Sequence, residues 1–166
     1  MRSKDFFDNA TPSGNSVAAE LMLRLATLTD NEDYRRRATT VLRLIVSGMI
    51  RYPAGFGRAL GALDFHLSSS KEIAIAGDSQ NPATRLLKRE VWKRYLPNKV
   101  VGEARPDQPR AAELVPFLVE RNVSGEPMAY VCEHYVCKNP VTTPAELAAQ
   151  LEETPQNRRH STQAST

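Results

Sequence analysis

Near residue 70 the spacing of apolar side chains changes period, and that change constrains the fold more than any other feature of the chain. Before it, apolar residues recur at the three-to-four spacing of a helix face. Beyond it they come in short runs bounded by Gly, Pro, Asn and Asp, as strands do, with helical stretches between. An all-helical fold cannot use the second pattern, and a sheet cannot use the first, so the chain reads as α+β.

Three helices are expected in the first part. In the first, Val17, Leu21, Leu25 and Leu28 recur at helical spacing, while Ala18, Met22 and Leu23 fill much of the remaining surface. That pattern suits a helix buried on most sides. The second, over about 31–50, places Tyr34, Ala38, Val41, Leu42, Ile45 and Met49 on one stripe and Arg35, Arg36, Thr39, Arg43 and Ser47 largely off it. Thr29 followed by Glu32 reads as a capping box at its start. The third, about 54–67, presents Phe56, Leu60, Leu63 and Leu67, with Gly57 and Gly61 offering room for a neighbouring backbone. Buried, amphipathic, buried is the alternation of a helical barrel or solenoid, and an antiparallel bundle fits it as well.

After "SSSK" the order is strand "EIAIAGD", helix "ATRLLKREVWKRYL" with Pro82 in its first turn, strand "KVVGEA", helix 111–121, strand "MAYVCEHYVC", and helix "AELAAQLEE" opened by Thr143 and Pro144. This β-α-β-α-β-α order predicts a small, mainly parallel sheet with right-handed crossovers. The chain therefore divides into helices over 1–69, an α/β segment over 70–153, and a tail over 154–166 expected to be disordered.

Charge argues against nucleic acid or membrane as the chain's partner. Arg158 and Arg159 in the tail account for two of the 22 basic residues, which leaves 20 against 19 acidic ones. One helix is basic, with Arg85, Lys88, Arg89, Lys93 and Arg94 around Trp92. Leu87, Val91 and Tyr95 form its expected core stripe, so the charges read as its solvated face. No apolar run has membrane-spanning length and "MRSKDFFDNA" lacks a signal-peptide core, so a cytoplasmic chain is expected.

Two places offer chemistry. The stretch "DNATPSGNS" sets turn-formers and small polar residues directly before an apolar helix. It is either a helix cap, for which one Ser or Asn suffices, or a polar loop at the mouth of a cavity. The second place is Cys132-x4-Cys137, with Glu133 and His134 between. Redox pairs usually have two intervening residues at a helix start. In a straight strand residues five apart face opposite ways, so a disulfide needs a turn between them. Zinc needs about four ligands, and Cys132, His134 and Cys137 supply three at most. Structural reduced thiols are the leading reading, with a redox or disulfide pair and a metal site left open; no cofactor is called for. His66, beside Asp64, reads as a packing or surface residue that could titrate near neutrality.

"DNATPSGNSVAAELMLRLATLT", "ALDFHLSSSKEIAIAGD", "LPNKVVGEARP" and "GEPMAYVCEHYVCKNPVTTPAEL" together resemble the C-terminal part of the spermatogenesis-associated protein 20 family. The resemblance implies a thioredoxin-like domain and an (α/α) toroid similar to six-hairpin glycosidases and sugar epimerases. This chain would hold only the toroid's last three or so helices and the terminal α/β piece, with the upstream barrel and thioredoxin-like domain missing. It further implies that Asp8, Asn9, Ser13, Asn15 and Ser16 face the toroid's cavity and hydrogen-bond a sugar-like small molecule, with Pro12 and Gly14 shaping the turn. A sugar-converting barrel also needs acid and base groups across the substrate, and only Asp8 lies beside this loop. The catalytic residues stay unknown, and the chain alone is expected to be catalytically silent. The family is similar in also carrying a cysteine pair, which supports the alternative of a thiol redox or interaction module.

Overall fold

A computed structural model describes residues 6–121, 123–134 and 136–152. The tail expected from residue 154 lies outside them. Helices α1 (Gly14–Thr29), α2 (Glu32–Arg51) and α3 (Gly57–Leu67) come first, with a 3₁₀ turn at Pro53–Gly55. There follow β1 (Lys71–Ala76), α4 (Pro82–Trp92), β2 (Lys99–Ala104), α5 (Ala111–Leu114), a 3₁₀ turn at Pro116–Leu118, β3 (Met128–Glu133), β4 (Val136–Cys137) and α6 (Pro144–Glu152). The α+β class is therefore the observed one. No helix among the described residues is long and apolar enough to cross a membrane.

The strand order is β2-β1-β3-β4. Only β1 and β2 run parallel, joined by the α4 crossover; β3 lies antiparallel to β1, and β4 antiparallel to β3. The sheet is thus mixed, not mainly parallel. A parallel β3 would need a crossover returning the chain along the whole sheet. The helix expected over 111–121 stops at Leu114, two residues before Pro116, which cannot continue it. With so little helix, the connection turns over at one end of the sheet and re-enters in the opposite sense.

Alternation along the strands sorts the core into two faces. Ile73, Ile75, Ala129 and Val131 point to one, where Leu87 and Val91 of α4 and Leu147 and Leu151 of α6 cover them. Ala74, Ala76, Ala104 and Tyr130 point to the other, under Leu118. Val100, also on that second face, packs with Ala19, Leu23, Leu42 and Phe65, so the helices and the sheet share a core. Thr143 and Glu146 form a capping box on α6, each side chain accepting from the other's backbone N–H.

The α2 stripe packs as its spacing predicts, through Ala38, Leu42, Ile45 and Met49. Its cap is Asn31, accepting from the Asp33 N–H at 2.9 Å, whereas the Thr29 hydroxyl donates back to the Leu25 carbonyl. In α1 the buried side chains are Ser16, Ala19, Leu23 and Ala26, while Val17 and Leu21 are 42% and 55% exposed. The inward face is thus three small residues and Leu23, which lets α2 and α3 approach closely, while Val17 and Leu21 stay outside it. In α3 it is Ala59, Ala62 and Phe65 that are buried, and Leu67 is exposed.

The close approach expected at Gly57 and Gly61 occurs elsewhere. A Cβ at either would meet nothing within 4 Å, whereas one at Gly48 would lie 2.6 Å from the Phe56 ring. Gly77 closes β1 with φ 145°, and a Cβ there would lie 2.8 Å from Thr84 Oγ1 and 3.1 Å from Pro127 Cβ. Gly77→Ala is therefore expected to cost about 2–3 kcal/mol, read as a lowered urea midpoint with unchanged slope.

Candidate functional site

The polar stretch before α1 is a knot of hydrogen bonds. Asp8 Oδ1 accepts from the Ser13 N–H at 2.8 Å, and Oδ2 accepts from the N–H groups of Arg58 and Ala59 at 2.9 and 3.0 Å. One carboxylate thus serves the starts of two helices. Burial pushes its pKa up, but hydrogen bonds from Ser13, Ala59, Ser16 and Arg58 together outweigh that and hold it below 3.8. Ser13 caps α1, its Oγ accepting from the Ser16 N–H at 3.1 Å, and the two hydroxyls lie 2.9 Å apart. Ser13 and Ser16 are both buried. Asn9 is exposed, Asn15 half-buried, Pro12 exposed ahead of the cap, and Gly14 is the first residue of α1. None of these seven residues lines the cavity that lies beside the cysteines.

The cysteines lie at the other end of the helical layer. Cys132 on β3 and Cys137 on β4 are direct cross-strand partners joined in a disulfide, their Cα atoms 3.9 Å apart. His134, at φ 50°, makes the turn that brings them into register. Reduced thiols give way here to a bonded pair, because the chain reverses between them. In this state neither sulfur is a thiolate able to ligate a metal.

The two sulfurs differ in surroundings. Cys132 is 2% exposed, whereas Cys137 is exposed. Arg121 Nη2 lies 3.3 Å from Cys137 Sγ and 3.7 Å from Cys132 Sγ. The guanidinium is held by its Nε, which donates to the Phe117 carbonyl at 2.9 Å, and by stacking 4.3 Å from the Tyr130 ring centre. A fixed cation over a disulfide stabilises whichever sulfur becomes a thiolate when the bond opens.

The disulfide forms part of the wall of a cavity of about 550 Å³ between the helical layer and the sheet, large enough for a small ligand. Asp30, Arg35, His66, Glu72 and His134 line it as well. Glu72 is half-buried on β1; burial first, then the neighbouring Asp30, pushes its pKa up, while Arg35 and His134 pull it down. His66 Nδ1 is buried without a hydrogen-bond partner. The sequence reads His66 as a packing or surface residue and singles out neither Glu72 nor Arg121. Glu72 has period-two spacing to buried Ala74 and Ala76, a signal that it shares their inward face.

The basic patch is largely neutralised. Lys88 pairs with Glu103 at 2.6 Å, Lys93 with Glu90 at 3.0 Å, and Arg94 with both Glu90 and Glu152. Tyr95, expected in the core stripe, is 92% exposed beyond the end of α4. Leu87 and Val91 are buried as expected.

Spermatogenesis-associated protein 20 of Homo sapiens is 36% identical to this chain over 153 residues, which is 91% of the chain and 20% of that protein. The chain belongs to the spermatogenesis-associated protein 20 family. Its rat and mouse members match at 35% and 33% identity, each over 91% of this chain and 19% of their own length. The chain thus spans about a fifth of the length of the curated relatives it matches. No family profile and no solved structure matches it.

Proposed function

We propose that this member of the spermatogenesis-associated protein 20 family carries a thiol–disulfide exchange centre at Cys132 and Cys137. The observation that carries the reading is the asymmetry of the bond: one sulfur open, one buried, and the Arg121 guanidinium over both. An incoming thiolate attacks Cys137 Sγ, since Cys132 is enclosed. A new S–S bond forms to Cys137, the Cys132–Cys137 bond breaks, and its electron pair leaves on Cys132 as a thiolate beneath Arg121. A second thiolate then attacks the incoming group's sulfur and releases Cys137. Two external thiols are oxidised to one disulfide, and the protein pair takes up the two electrons and, from solvent, two protons.

The sugar-processing barrel implied by the family resemblance would be a property of the whole protein, in which this chain is about a fifth. Asp8, Asn9, Ser13, Asn15 and Ser16 are not among the residues that line the cavity beside the disulfide.

The test is mass spectrometry with an alkylating reagent. The untreated native chain should take no label, and the reduced chain two. In Cys132→Ser, an aromatic disulfide reagent should trap a mixed disulfide on Cys137. Two labels before reductant, or no adduct on Cys137, would overturn the proposal.

A further inference from the structure

Sheet register lines up Val100, Glu72, Cys132 and Cys137 as one row across β2, β1, β3 and β4, all on the same face. Glu72 is therefore the immediate neighbour of the disulfide inside the cavity: one strand spacing of about 4.8 Å separates its backbone from Cys132, whose Cα lies 3.9 Å from that of Cys137. It makes no hydrogen bond or salt bridge to another described residue. The cations nearby are engaged: Arg35 pairs with Glu32 at 2.9 Å, and Arg121 is held over the sulfurs and the Tyr130 ring. Burial, and then Asp30, push the Glu72 pKa up, and the attraction of Arg35 and His134 offsets that only in part, so a cation brought into direct contact would still be favoured. His66 Nδ1, buried without a partner in the same cavity, offers a further polar contact.

From this we infer that the cavity is a site for a low-molecular-weight aminothiol, whose ammonium group Glu72 holds while its sulfur is set against Cys137. The inference rests on the exchange reading above and names its substrate class. An ammonium, two carbons and a sulfur, with one contact at each end, span the distance from a carboxylate to a sulfur two strands away. A thiol carrying a carboxylate would set like charge against Glu72 and Asp30. A neutral thiol would leave Glu72 without its counter-ion. Charge therefore ranks the three classes.

The experiment measures the rate at which the 166-residue chain's disulfide is opened by 2-aminoethanethiol, 2-mercaptoethanol and 3-mercaptopropionate, each divided by its thiolate concentration. The aminothiol is expected to be on the order of fivefold faster than the neutral thiol, the size of a half-exposed ion pair, and the acid slower still. In Glu72→Gln the ratio should fall toward one. Equal rates in the parent chain, or a ratio unchanged in Glu72→Gln, would overturn the aminothiol site while leaving the exchange centre standing. A second arm uses 2-(methylthio)ethylamine, which cannot exchange, and follows amide shifts near Glu72 in the oxidised chain. If no thiol opens the disulfide but this amine still shifts those amides, the ammonium site stands and the exchange reading falls. If neither occurs, both are overturned.

Discussion

Replacing Asp8 by Ala is expected to lower stability by about 2 kcal/mol and to loosen the starts of both α1 and α3. The carboxylate accepts three backbone N–H groups, from Ser13, Arg58 and Ala59. These are donors at helix starts, with no partner inside their own helices. Removing the acceptor returns them to water only in part, since Ser13 and Ala59 are buried. Asp8→Asn should cost less, because it keeps one acceptor oxygen. The pH dependence distinguishes the two roles of the group. Its folded pKa lies below 3.8, so the stability it adds is present above the unfolded pKa and lost as pH falls through the folded one. Urea melts should therefore show a gap between parent and Asp8→Asn that is constant above about pH 5 and closes as pH falls through the folded pKa. A gap that persists at acid pH would mean that shape, not charge, holds the knot.

This knot shows how far the sequence reaches. That "DNATPSGNS" contains a helix cap follows from its residue types, and Ser13 is that cap. That the same segment ties down α3, about fifty residues away, does not follow, because turn chemistry is local and the pairing of two helix starts is not. The α2 stripe was legible because large apolar and charged residues divide cleanly between its faces. The α1 face was not: periodicity finds a stripe, but when most of a helix is apolar, side-chain size decides which stripe turns inward. Ala19 and Ala26 are wholly buried where Leu21 is not.

The site was legible in its parts and illegible in its assembly. Cys132 and Cys137 stand out in any reading, as does the need for a turn between them. Strand direction is what sequence does not write, and a β3 antiparallel to β1 is what sets Glu72 beside Cys132. Arg121 was hidden inside an expected helix that Pro116 prevents, so its reach to the sulfurs could not be foreseen.

Arg121→Gln is expected to slow alkylation of Cys137 in the reduced chain by about tenfold near neutral pH. An opposite charge within about 4–6 Å of a thiolate lowers its pKa by a unit or more, and the thiolate is the species that reacts. Glutamine keeps the length and a hydrogen-bond donor but not the charge. A loss that disappears when the rate is followed up to pH 10, where both variants are fully thiolate, would locate the effect in the pKa. A loss that persists at that pH would mean that Arg121 acts by holding the β3–β4 turn in place. Arg121→Lys separates the same two cases from the other side. It restores charge without the planar stack on Tyr130, so partial recovery of the rate is expected if Coulomb attraction is the cause. Cys132 should alkylate more slowly than Cys137 in the parent chain and in Arg121→Lys, because Cys132 is buried on β3 and Cys137 is exposed. An order of attack reversed between the two cysteines would remove the asymmetry on which the exchange mechanism stands.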